Sequence, residues 1–188
     1  MLIIIAVLAA LVILALLAVL PFRSTVKSLV TARIGIDRSF ADLDDLLKRR
    51  YDEMPKLIGT CKGYMPPGEK AIQALADARA AWAHTTKTTE KAQAATKLSD
   101  ALTSLFAAAQ NYTELKSNTS FIQLQNRIAR LDSEIAAQLA AYNQRVNDYN
   151  LRIGRFPANL VASIKRLQPA AAFQVTEAAR EDAKGSFT

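Results

Sequence analysis

Side chains able to do chemistry gather in two stretches. The first is "KRRYD", Lys48–Asp52, where three successive cations point in neighbouring helical directions, so at least one of Lys48, Arg49 and Arg50 must lie near the apolar side or face a partner surface. Asp42, Asp44, Asp45, Asp52 and Glu53 surround it, and such a carboxylate set could serve acid–base or metal chemistry. At helical spacing, however, Asp44 with Lys48, Asp45 with Arg49 and Asp52 with Lys56 make i, i+4 ion pairs on a solvated face. The second stretch is "YNQRVNDYNLRIGRFPANL", Tyr142–Leu160, in which Tyr142-Asn143, Tyr149-Asn150 and Phe156-Pro157 recur at heptad spacing. A tyrosine with a buried ring still needs a partner for its hydroxyl, and an asparagine beside an apolar seam can bond across to a neighbouring helix. These residues therefore read as helix-pairing groups.

Catalytic sets of known pattern are missing from the sequence. The single histidine, His84, has Ala81 three residues before it, so the Glu-x-x-His pair of di-iron bundles is absent. A lone histidine at a helix end is expected to cap carbonyls. There is no glycine-rich phosphate loop, no paired cysteine motif and no nucleophile elbow. The reading is a protein with no catalytic residues, no cofactor, no metal and no small-molecule substrate. The alternative is an enzyme or ligand-binding bundle that uses the polar groups of the two stretches.

What must position these groups is a set of helices. Gly and Pro are scarce and no alternating strand pattern appears, so the fold class is all-α. Apolar residues from Ile36 through Phe40, Leu43, Leu47, Tyr51, Met54, Ile58 and Cys61 to Met65 step by three or four, a heptad seam with one stutter. Pro55 predicts a kink in this first helix, and "MPPG", Met65–Gly68, ends it. A second helix is expected over Glu69–His84, and "TTKTT" separates it from a third that carries Leu98, Leu102, Leu105 and Tyr112. "ELKSNTS" reads as a loop, with Ser120 and Gln123 forming a capping box for a fourth helix. Its seam runs from Phe121 to Leu160 with one stutter near Ile135. The expected architecture is an antiparallel up-down bundle of about four helices, two of them long and coiled-coil-like, over residues 21–166. A loosely held tail over 167–188 follows.

Met1–Leu20 carries no polar side chain and is long enough to cross about 30 Å of hydrocarbon, so it reads as a transmembrane helix, ending with a break at Pro21. Arg23, Lys27, Arg33 and Arg38 follow it and no cation precedes it. The positive-inside rule then places the N-terminus outside and the bundle in the cytoplasm of a single-pass membrane protein. Lone Cys61 fits a reducing compartment. The net charge of +7 is spread along the chain without a basic block, which argues against nucleic acid and for contact with anionic lipid near the span. The partners expected are the bilayer and either a second copy or another membrane protein.

Three stretches carry a resemblance to a known family. "LDDLLKRRYDEMPKLIGTCKGY" (Leu43–Tyr64), "NYTELKSNTSFIQLQ" (Asn111–Gln125) and the Tyr-Asn repeat, in that order after an apolar N-terminal run, are similar to the hallmark stretches of the LemA family. The resemblance implies long antiparallel helices anchored by one span. It implies no particular activity, although one branch of the family is associated with building a magnetosome membrane.

Overall fold

A computed structural model describes the backbone of residues 2–85 and 88–173 and the side chains of 23–85 and 89–173. Its helices are α1 (Leu2–Lys62), α2 (Lys70–Ala83), α3 (Thr88–Ala109), α4 (Thr113–Ser117), α5 (Thr119–Ile153) and α6 (Ala158–Ile164), and no strand occurs among the described residues. The fold is all-α. The described residues form two compact units, one comprising residues 42–140 with 173, the other 2–41 with 141–172.

In the unit of residues 42–140, contact pairs give each helix its direction. Arg50 meets Asp132 and Glu53 meets Arg127, so α1 and α5 run antiparallel. Tyr51 lies 6.4 Å from Trp82, which sets α2 antiparallel to α1, and Tyr112 bonds Glu69, which sets α3 antiparallel to α2. The order is up-down-up-down. The core at its centre takes Met54, Leu57 and Cys61 from α1, Leu75 from α2, Leu98, Leu102 and Leu105 from α3, Leu115 from α4 and Phe121 and Ile128 from α5. Burying apolar area at roughly 25 cal/mol per Å² is what holds the four rods together.

Several local expectations need correction. Helix α1 continues through Pro21, where a break is expected, because one missing N–H removes one ladder bond while the flanking turns stay closed. Gly68, at φ +88°, ends the turn that follows α1 in a conformation that favours glycine. "ELKSNTS" is not simply a loop. It folds into α4, and Asn118, with extended backbone, caps α5 by accepting the Phe121 N–H on its side-chain oxygen at 3.0 Å. This cap lies two residues before the expected Ser120, since a short amide oxygen at Asn118 already reaches the third N–H of the helix.

The largest departure is at the end of α5. Instead of running on to Leu160, the helix stops at Ile153, the chain turns through Gly154–Pro157 with a cis Phe156–Pro157 bond, and α6 begins. Glycine is a poor helix former, and Pro157 has no N–H to give to the Ile153 carbonyl, so the heptad pattern is overruled there. Helix α6 closes with Leu167 N–H bonded to the Ala162 carbonyl and Arg166 N–H to that of Ser163, with Arg166 left-handed at φ 51°. This is the bonding of a Schellman motif, and it turns the chain back along α5.

The predicted span over Met1–Leu20 falls outside the residues whose side chains are described; from Leu2 its backbone is part of α1. Among the described residues no helix is long and apolar enough to cross a membrane.

Candidate functional site

The three cations of "KRRYD" separate by one turn of geometry. Lys48 and Arg49 are exposed, and Arg49 pairs with Asp45 at 2.8 Å as its spacing suggests. Arg50 turns inward and is 4% exposed. Its Nη1 donates to Ser99 Oγ at 2.9 Å and to Asp132 Oδ1 at 2.8 Å, and its Nη2 to the Ala95 carbonyl at 3.2 Å. One guanidinium thereby ties α1 to α3 and α5. Its Nε is buried and has no partner. A planar fork can bridge three acceptors from three directions, which a lysine ammonium on the same stem cannot reproduce.

Around this hub the carboxylates pair differently from the local spacing. Asp44 takes Lys91 of α3 in place of Lys48, and Lys56 lies 3.4 Å from Glu53 in place of Asp52. Glu53 also receives Arg127 of α5 at 3.2 Å. For Asp44 and Glu53 the cations on α3 and α5 win because a partly buried carboxylate gains more from a cation there than from one on an exposed face, whereas Lys56 and Glu53 pair within α1. Tyr51 carries the Arg79 guanidinium 4.9 Å above its ring. The polar groups of the stretch are thus largely engaged with one another. Among the described residues no cluster of three or more His, Cys, Asp or Glu side chains is placed to hold a metal ion.

The Tyr-Asn repeat lies in the other unit. Tyr142 and Tyr149 are buried, and Tyr142 sits 5.8 Å from Phe40 of α1. Their hydroxyls donate to the Ala171 carbonyl at 2.8 Å and the Gln168 carbonyl at 3.3 Å. Burial raises the Tyr142 phenol above its ordinary range, with Arg33 pulling it down and Asp37 pushing it up. Asn150 uses both ends of its amide on one residue: Nδ2 donates to the Ala170 carbonyl and Oδ1 accepts the Ala170 N–H, each at 2.9 Å. Asn143 is half-buried and engaged.

Asn150 was expected to reach a neighbouring helix. It holds an extended strand of tail instead, because residues 168–172 have no ladder of their own and offer free backbone groups. That segment, expected to be loose, is pinned at three places. The rest of that tail, from residue 174 onward, lies outside the described residues. Phe156 and Pro157, assigned to the seam by the heptad count, occupy the turn, and Phe156 is 80% exposed.

Beside the repeat a groove of about 760 Å³ opens between α1 and α5. Lys27, Arg38, Arg145 and Arg152 line it with Asp148, and none of the four cations is ion-paired among the described residues. Gly35 forms its floor, where an added Cβ would meet the Arg145 guanidinium at 3.6 Å. The sequence reading missed this set, since its cations come in pairs separated by more than a hundred residues. An excess of positive charge in a concave surface attracts anions.

A family model, the LemA family, matches residues 39–187. The chain belongs to the LemA family. The match takes in the Arg50 hub, the Tyr-Asn repeat and α6, whereas the whole apolar run and the first basic residues precede it. No curated protein matches the chain.

Cys61 has no part in either cluster. Burial pushes its thiol from an ordinary 9.0 up to about 11, so the group ionises in the unfolded chain before it does in the folded one. Its contribution to stability is complete below about 9 and is lost as pH rises through about 11. At neutral pH a maleimide should label Cys61 only as the chain unfolds, in step with the loss of helical circular dichroism. Fast labelling of the native protein would show that the site opens locally.

Proposed function

We propose that this LemA-family chain is a single-span membrane protein whose helical part, on the cytoplasmic side, acts as an interaction or scaffolding component and not as an enzyme. The observation that carries this reading is the internal use of its polar groups: Arg50, Tyr142, Tyr149 and Asn150 all spend their hydrogen bonds on the chain itself. Such networks fix which rods and straps pair, and they leave the exposed faces for partners.

The anchor is argued from the apolar run of Met1–Leu20 and from α1, which passes from that run to Lys62 as one helix. Partners are another membrane protein or a second copy.

Crosslinking in intact cells followed by recovery in detergent tests the reading. A reproducible partner or a defined oligomer is expected, and a strictly monomeric chain recovered alone would count against it. Topology is read with an impermeant thiol reagent on a cysteine introduced at exposed Lys62, because buried Cys61 is a poor reporter.

A further inference from the structure

The unit formed by residues 2–41 and 141–172 exposes an apolar stripe that its own packing leaves uncovered. Phe156, Leu160 and Ile164 recur every four residues along the turn and α6, at 80%, 54% and 67% exposure. Val161 and Ala162, on the opposite side of α6, are buried. The helix therefore seats one face on the protein and offers the other. Exposed Arg152, Arg155, Lys165 and Arg166 bracket the stripe, with no carboxylate between Asp148 and the end of α6.

The position of the stripe along α1 follows from contacts within this unit. Helices α1 and α5 run antiparallel here, with Phe40 beside Tyr142 and Gly35 beside Arg145. Further along, Ser24, Lys27 and Ser28 share a groove with Arg152. The turn at Gly154 and α6 come directly after Arg152, so α6 lies near the level of Ser24. That level is four residues past Leu20, the end of the apolar run, or about 6 Å of helical rise. The headgroup region on each side of a bilayer is about 5–8 Å deep. If the run spans, the stripe is delivered to the headgroup layer.

We infer that α6 with the preceding turn is a membrane foot: Phe156, Leu160 and Ile164 insert into the interface of an anionic phospholipid bilayer while Arg152, Arg155, Lys165 and Arg166 contact lipid phosphates. The inference rests on the membrane-anchor reading above and deepens it. Apolar side chains framed by cations suit such an interface, since the first gain from partial burial and the second from the negative surface potential. A second copy of the chain would present the same cations to the same cations. Charge complementarity thus favours lipid over self-pairing.

The experiment uses the full chain reconstituted into vesicles of phosphatidylcholine and phosphatidylglycerol, with Leu160→Cys carrying an environment-sensitive fluorophore and Cys61 left in place. Flotation with the vesicles, blue-shifted emission, and quenching by lipids brominated near the headgroup are expected. The shift should shrink in phosphatidylcholine alone. A matching label at exposed Gln144, on α5 of the same unit and about 15 Å of helical rise before the turn at Gly154, should stay in water. Phe156→Ser with Ile164→Ser should lose the shift at unchanged helicity, because both side chains are exposed and add little to folding.

A chain that floats while its label remains accessible to aqueous iodide overturns the foot and leaves the anchor standing. A label shielded from iodide but untouched by brominated lipid also overturns it, in favour of pairing between copies. A chain that fails to float removes the anchor and the foot together.

Discussion

Asp132→Ala should destabilise the folded chain by about 3 kcal/mol, more than the loss of a surface ion pair would suggest. Asp132 is itself 45% exposed, so a count of exposed salt bridges would assign the pair little. The asymmetry lies in the partner. Arg50 is almost wholly buried, so removing the carboxylate strands the guanidinium charge between three helices. Ser99 Oγ and the Ala95 carbonyl remain, but neither carries a neutralising charge. For a chain of this size the expected fall in Tm is roughly 6–12 °C.

The double substitution Arg50→Met with Asp132→Ala should cost less than Asp132→Ala alone. Methionine retains much of the apolar stem packing, no buried charge is left, and the Ala95 carbonyl still receives the Ser99 hydroxyl at 3.0 Å. Arg50→Lys should recover only part of the wild-type stability, since one ammonium cannot span the three acceptors. Urea unfolding of the wild type, Arg50→Met, Asp132→Ala and the double variant in the same detergent gives the coupling directly. If Asp132→Ala unfolds with the wild type, Arg50 is not held by its carboxylate and the hub has been misassigned.

How far these features were legible in the sequence depends on the distance over which each is decided. The heptad seams are local and strong, and they placed Leu43, Leu47, Met54, Cys61, Phe121, Ile128, Tyr142 and Tyr149 in the interior, where they are buried. The bounds of α2 came within a residue at each end, with Glu69 and His84 as its caps. Spacing alone also required one cation of "KRRYD" to approach the core. It could not name Arg50, because the choice is made by Asp132, which lies 82 residues away. The same non-local competition moved Asp44 from Lys48 to Lys91.

At Gly154 the pattern itself misled. Phe156 and Leu160 continue the heptad arithmetic beyond the point where Gly and Pro close the helix, and they end in solvent. A periodicity of side chains cannot register that the backbone has stopped, so the Gly-x-x-Pro spacing was the signal to weigh. The tail was undervalued for a related reason. Its composition suggests loose chain, but three donors and acceptors on α5 were waiting at matching intervals.

Those bonds yield the second large effect. Asn150→Ala should release the strap, because it leaves the N–H and C=O of buried Ala170 without partners at about 1–3 kcal/mol each. The whole of that cost does not fall on global stability, since residues 168–172 can detach and hydrate while α5 stays folded. Local opening therefore becomes easier by about 2 kcal/mol or more, which corresponds to roughly thirtyfold faster amide exchange at Ala170 and Ala171 and earlier proteolytic cleavage there. Tyr142→Phe, which removes only the bond to the Ala171 carbonyl, should give a smaller increase. Asn150→Asp separates the two halves of the amide contact. Its carboxylate can still accept the Ala170 N–H but faces the Ala170 carbonyl with a second negative oxygen, so the ionised form is disfavoured in the folded state and its pKa there is raised. A raised folded-state pKa means that protection is recovered as pH falls, when the protonated acid can donate as the amide did. Exchange at Ala170 that is unaffected by Asn150→Ala, or Asn150→Asp exchange that shows no recovery at acidic pH once intrinsic rates are divided out, would mean that the strap is held by its apolar contacts and not by the asparagine.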